Sequence, residues 1–72
     1  MNRFNPKKLR LSKWTALNPV AKEKHFIVID IEYDEEIQKV LSCTLEAVMT
    51  KRQRTILPEE LKNEYKWRQG WQ

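Results

Sequence analysis

The stretch that most restricts the fold runs from Lys39 to Leu57. Leu41, Cys43, Leu45, Ala47 and Met49 occupy every second position, with Ser42, Thr44 and Glu46 between them. A period of two sends successive side chains to opposite faces of a strand, so one face is apolar and the other can be solvated. Lys51-Arg52 interrupts the pattern, and Gln53-Arg54-Thr55-Ile56-Leu57 follows as a second run with β-branched residues. Strand, short polar break and strand together predict a hairpin that folds back at Lys51-Arg52.

Upstream, Leu9 and Leu11 alternate with Lys8, Arg10 and Ser12, and Trp14-Thr15-Ala16 continues toward Leu17, which predicts a first strand. The apolar parity shifts between Leu11 and Trp14, as a bulge or bend near Ser12 requires. Asn18-Pro19 signals a turn, with the loop running to about Glu23. In the second strand, Lys24 to Tyr33, Ile27, Ile29, Ile31 and Tyr33 share one face. Phe26 and Val28 on the other face give way to Asp30 and Glu32, so the first half expects burial on both sides. Asp34-Glu35-Glu36 makes an acidic turn, with a short helix beginning at Asp34 as the competing assignment.

Pro58-Glu59-Glu60-Leu61 suits the first turn of a helix, because proline has no donor to leave unpaired and the acids face the positive end of the dipole. Such a helix ends after one turn or runs toward Lys66. In the shorter version, Tyr65 to Arg68 forms a last strand and Gln69-Gly70 a turn. This succession predicts a mainly β protein, either a small SH3-like barrel or a strongly bent antiparallel meander with a short C-terminal helical turn. The alternative is an α+β arrangement, an open antiparallel sheet with one C-terminal helix. Residues 1–8 are expected to be a flexible basic arm and 9–72 a single small β domain. The expected core is Leu11, Ile27, Ile29, Ile31, Leu41, Cys43, Leu45, Ala47, Met49, Ile56 and Leu61, with at least one tryptophan.

A chain of 72 residues buries only roughly 60% of its unfolded surface, so nearly all large apolar groups are needed inside. Three Trp, two Tyr and two Phe help to meet that need. The single cysteine, Cys43, excludes an internal disulfide and fits a reducing compartment; it is expected as a small buried hydrophobe. Phe26-Ile27-Val28-Ile29 is the longest apolar run, far short of the roughly 20 residues that span a bilayer. The polar N-terminus lacks the apolar segment of a signal peptide. A soluble, cytoplasmic monomer without membrane association is the expectation.

Several stretches carry a resemblance: Asn5-Pro6-Lys7-Lys8-Leu9, Ser12-Lys13-Trp14-Thr15-Ala16, Lys22-Glu23-Lys24-His25-Phe26, Leu45 to Arg52, and Trp67-Arg68-Gln69-Gly70-Trp71. Together they resemble a family of small tryptophan-rich, uncharacterised bacterial proteins. The resemblance implies a free-standing bacterial cytoplasmic protein. It brings no catalytic or binding residue that could be carried over, and Ile31 to Lys39 lies outside it.

Chemistry on the chain is sparse. His25 is the only histidine, Ser12 and Ser42 have no evident base, and no nucleophile with its base and orienting group can be assembled. His25 and Cys43 do not supply the three or four ligands of a zinc site. Gly70, the only glycine, excludes a glycine-rich phosphate loop. No enzyme, cofactor or metal is therefore expected.

Charge is more informative. The net charge is +4, distributed as +6 over residues 1–25, −5 over 26–46 and +3 over 47–72. Lys7, Lys8, Arg10 and Lys13 lead into Trp14; Lys51, Arg52 and Arg54 mark the hairpin tip; Lys66 and Arg68 bracket Trp67. Cations neutralise phosphates and aromatic faces stack on unpaired bases, so these residues predict binding of single-stranded nucleic acid, RNA especially. The alternative is a protein-interaction module or small assembly factor, with Trp67, Arg68 and Trp71 as an interface. Exposure of the tryptophans discriminates, because a buried ring cannot stack on a base.

Overall fold

Alternating side chains and tight reversals build one antiparallel sheet. The computed structural model describes all 72 residues. Its strands are β1 (Lys13–Val20), β2 (Glu23–Asp34), β3 (Lys39–Ala47), β4 (Gln53–Ile56) and β5 (Trp67–Gln69), with a 3-10 turn (Pro6–Lys8) before the first and one α-helix, α1 (Pro58–Lys62), between the last two. The strand order is β4-β3-β2-β1-β5, and every pair is antiparallel. The protein is mainly β, as the pattern predicts. Because β4 and β5 are the two outer strands, the sheet is open, which is the arrangement given above as the alternative. No helix is long and apolar enough to cross a membrane.

The hairpin at the centre of the prediction forms. Glu46 pairs with Gln53, Leu45 with Arg54 and Cys43 with Ile56. Cys43, Leu45 and Ala47 are fully buried along the inner face of β3. The reversal nevertheless begins earlier than the alternation implies. The Lys51 N–H donates to the Ala47 carbonyl and Lys51 adopts φ 64°. Met49 therefore lies in the turn at 77% exposure rather than in the core.

Two bulges account for the other errors in the expected core. Along β2–β3, Val28 pairs with Leu45 and Ile31 with Cys43, so β2 carries one extra residue over that span. An extra residue inverts the parity of everything beyond it. Phe26 and Val28 consequently face the core before the bulge, and Ile31 packs on the core after it. Ile27 and Ile29 are only half-buried. The second bulge lies between Ser42 and Val40 on β3 and carries Leu41 outward, while Val40 takes the place on the core. Ile56 packs against the core at half-burial, and Leu61 is fully buried as expected.

Leu9 replaces Leu11 in the core. The bend foreseen near Ser12 is a tight reversal in which the Ser12 N–H donates to the Leu9 carbonyl at 3.0 Å. Leu11 takes φ 69° there, leaving its side chain in solvent. The indole Nε1 of Trp14 donates to Ser12 Oγ at 2.8 Å, which satisfies the one polar atom of a fully buried ring. Trp14 meets Phe4 edge-to-face at 6.2 Å, and Phe26 meets Trp67 in the same way at 5.2 Å. These two aromatic pairs flank the aliphatic centre. Residues 1–8 follow the C-terminal part of the chain, where Asn2 Nδ2 donates to the carbonyls of Leu61 and Trp67.

The first hairpin corrects another expectation. β1 continues through Asn18-Pro19, and the reversal falls at Ala21-Lys22, where Val20 pairs with Glu23. Both central residues have positive φ, 55° and 63°. That conformation is the type I′ turn, whose twist matches the flanking strands. Neither residue belongs to the Gly, Asn and Asp set that marks such a turn, so Asn18-Pro19 gave the stronger local signal. At the other end of β2, Asp34 Oδ1 accepts from the N–H groups of Glu36 and Ile37, which makes the acidic turn. Beyond β4, α1 lasts one turn with Pro58 at its start, and the short last strand follows.

Candidate nucleic-acid interface

The sheet has a second, outer face that is covered only in part. Trp14 points inward on β1, so its neighbours Lys13 and Thr15 point outward. Thr15 is paired with His25 on β2 and with Arg68 on β5, and Lys13 is paired with Ile27. This row forms the floor on which the C-terminal residues lie.

Gly70 turns the chain onto that floor. Its φ of 79° is a left-handed conformation that glycine adopts without penalty, and its N–H donates to the Lys13 carbonyl at 2.8 Å. The Thr15 hydroxyl donates to the Gly70 carbonyl at 2.7 Å and accepts the Gln72 N–H at 2.9 Å. His25 Nε2 lies 3.0 Å from the Gln72 carbonyl and donates to it. Trp71 Nε1 donates to the Phe26 carbonyl at 3.0 Å. These five hydrogen bonds hold the indole beside the His25 ring, with centroids 5.9 Å apart and planes inclined by 43°. Lys13 Nζ sits 4.8 Å from the ring centroid, within cation–π range.

The tryptophans divide sharply. Trp14 and Trp67 are 0% and 3% exposed, whereas Trp71 keeps 44% of its surface in solvent. The stacking roles predicted for Trp14 and Trp67 are therefore corrected: both rings serve the core, with no face available to a base. The C-terminal hot spot expected in the alternative reading loses Trp67 for the same reason. Arg68 and Trp71 remain at the surface.

The basic residues occupy several places. Lys13 and Arg68 accompany Trp71 on the outer face. Lys8 and Lys13, with Arg3, line a groove of about 490 Å³ whose floor includes Trp14 and Gln69. Lys7 and Arg10 stand beside Ile31 and Tyr33, along the long β2–β3 ribbon. Lys51 is exposed in the β3–β4 turn, and Arg52 approaches Glu23 at 3.9 Å, which offsets its charge. Arg54 and Lys66 belong to a separate cleft on the inner side of the sheet. Convergence on one surface is thus confined to Lys13, Arg68 and the tail.

Sequence reasoning passed over Thr15, His25 and Gly70 as parts of one arrangement. Only Gly70 carried a usable signal, as the single glycine of the chain next to a tryptophan. Cys43 is chemically quiet: burial and the nearby Glu59 charge push its thiol up to about 11 from an ordinary 9.0. It stays protonated at neutral pH, without the thiolate that reactivity requires.

Fold and surface together describe a small open-sheet β protein with two structural tryptophans and one displayed among basic side chains. The profile of the tryptophan-rich protein family DUF2389 matches residues 12–72, and the chain belongs to that family. The match begins at Ser12, the residue that caps the Trp14 indole, and takes in all three tryptophans. Comparison with curated proteins and with solved structures found no match.

Proposed function

We propose that this chain is a non-enzymatic binding protein for single-stranded nucleic acid, RNA in particular, and that the ligand lies across the outer face at Trp71. The observation that carries this reading is the 44% exposure of an indole pinned by its own N–H beside Lys13 and His25. A ring held in place loses little freedom when a base stacks on it. Arg68 and Lys13 then meet the phosphates on either side. On this reading the chain acts as a cytoplasmic monomer. The meander, helical turn and fifth strand support an SH3-like kinship of the architecture, and such small barrels often host this kind of binding by analogy of fold.

The test is a fluorescence titration of the full chain with oligouridylate and oligothymidylate at low salt. Stacking on an aromatic ring contributes about 1–3 kcal/mol per base, so Trp71→Ala should weaken binding roughly 5- to 150-fold. Affinity should fall with added salt, with a slope of about −0.7 for each phosphate neutralised. Absence of any shift at micromolar protein would end the proposal, as would unchanged binding in Trp71→Ala.

A further inference from the structure

The inner side of the open sheet carries a cleft of about 520 Å³ between β1 and β4, lined by Ala16, Val20, Arg54, Ile56, Glu60 and Lys66. We propose that it receives an extended peptide bearing carboxylate side chains, which adds a strand to the free edge of β4. Three observations support this assignment, and each is independent of the Trp71 face.

The first is the edge itself. β4 ends the strand order, and its residues Gln53–Ile56 form backbone pairs only with β3. On the opposite wall, β5 accompanies β1 only as far as the bond from the Leu17 N–H to the Lys66 carbonyl. Two strand edges with unpaired backbone groups thus face one cleft. A peptide main chain can satisfy such groups, which is how a strand is added to a sheet.

The second is an uncompensated cation in a fixed pose. The Arg54 guanidinium lies 5.7 Å from the Phe26 ring centroid and 5.6 Å from that of Trp67. These two cation–π contacts restrain the guanidinium, and its N–H donors make no hydrogen bond within the chain, so they can meet a carboxylate. Neither Arg54 nor Lys66 has an acid partner, since the two ion pairs of the chain are the N-terminus with Glu64 and Arg52 with Glu23. Glu60 lines the cleft but pairs with neither cation.

The third is how the cleft's one aromatic wall is covered. Trp67 lines the cleft but is only 3% exposed, with the Arg54 guanidinium 5.6 Å from its centroid, so little of the ring is open to a base. β4 carries no carboxylate of its own, so a second copy paired through β4 would bring Arg54 but no acid to the cleft. The apolar walls at Ala16, Val20 and Ile56 suit a ligand strand that alternates aliphatic and acidic side chains.

The experiment is an amide NMR titration of the full chain with a short blocked peptide alternating valine and glutamate, alongside its valine–lysine counterpart. The amides of Gln53–Ile56 should shift and exchange more slowly with the glutamate peptide alone. Arg54→Ala should weaken binding about tenfold or more, the size of a lost charge-assisted bond, and Arg54→Lys by less. Binding of oligonucleotide at Trp71 should be unchanged in both variants, which separates this site from the outer face. Should Arg54→Ala fold poorly, Lys66→Glu serves as the reversal of charge and should also weaken binding. The proposal is overturned if millimolar glutamate peptide leaves the β4 amides in place, or if the lysine peptide binds equally well. It is also overturned if the β4 amides respond instead to oligonucleotide or to protein concentration alone.

Discussion

Thr15 and Gly70 are joined across 55 residues by a bond of 2.7 Å from the threonine hydroxyl to the glycine carbonyl. Thr15 is 1% exposed although it belongs to the outer face, because the tail it anchors covers it. The hydroxyl uses both of its roles, donating to Gly70 and accepting from Gln72. One side chain therefore fixes both residues that flank Trp71.

Replacing Thr15 with valine keeps the shape and removes both bonds. The Gly70 carbonyl and Gln72 N–H are only partly buried and can turn to water, so the loss is that of two ordinary hydrogen bonds, about 1–3 kcal/mol together. Thr15→Val is expected to lower the urea midpoint accordingly, with Trp71 emission moving to longer wavelength as the tail loosens. An unchanged midpoint and spectrum would show that the tail is held by other contacts.

The Ala21-Lys22 turn should respond in the opposite direction. Both residues are in the left-handed region, which costs an ordinary residue about 1–2 kcal/mol. Substituting Ala21→Asn with Lys22→Gly supplies the residue types that accept this turn. The double variant is expected to gain about 1 kcal/mol or more, read as a higher thermal midpoint.

Cys43 makes stability depend on alkaline pH. Its folded pKa of about 11 lies above the ordinary 9.0, so the unfolded chain loses the proton first as pH rises. The contribution is complete below about pH 9 and is lost as pH rises through 11. Two units correspond to about 3 kcal/mol at most. Denaturant melts of the wild type should decline over this window, and Cys43→Ala, though less stable at neutral pH, should decline by a smaller amount.

Ile29 and Ile31 are distinguished by the bulge in β2. Ile31 packs against the core, whereas Ile29 occupies the span where the register slips. Ile31→Ala is expected to cost about 1–2 kcal/mol and Ile29→Ala under about 1 kcal/mol. Equal costs would mean that both residues share one buried face, as strict alternation implies.

Much of the strand content was legible because alternation is a local property, visible over a few residues. The β3–β4 hairpin, the acidic turn at Asp34 and the proline-led helical turn all follow from neighbours in the chain. Parity was not legible beyond a bulge. One inserted residue in β2 puts Val28 and Ile31, which strict alternation sends to opposite faces, on the same side, and nothing in Ile27-Val28-Ile29 marks where the insertion falls. The same holds for the turn at Ala21-Lys22, where strand twist imposed a conformation that neither residue prefers.

Sequence alone determined that this chain forms paired strands, carries unevenly spread positive charge, and has neither the glycines nor the ligand sets of several common chemistries. Tertiary structure decided which tryptophans are core and which is displayed. Burial depends on what arrives from elsewhere in the chain: Phe4 against Trp14, Phe26 against Trp67, and the polar Lys13 and His25 beside Trp71. No residue encodes its own exposure, because exposure is set by partners distant in sequence that pairing brings near.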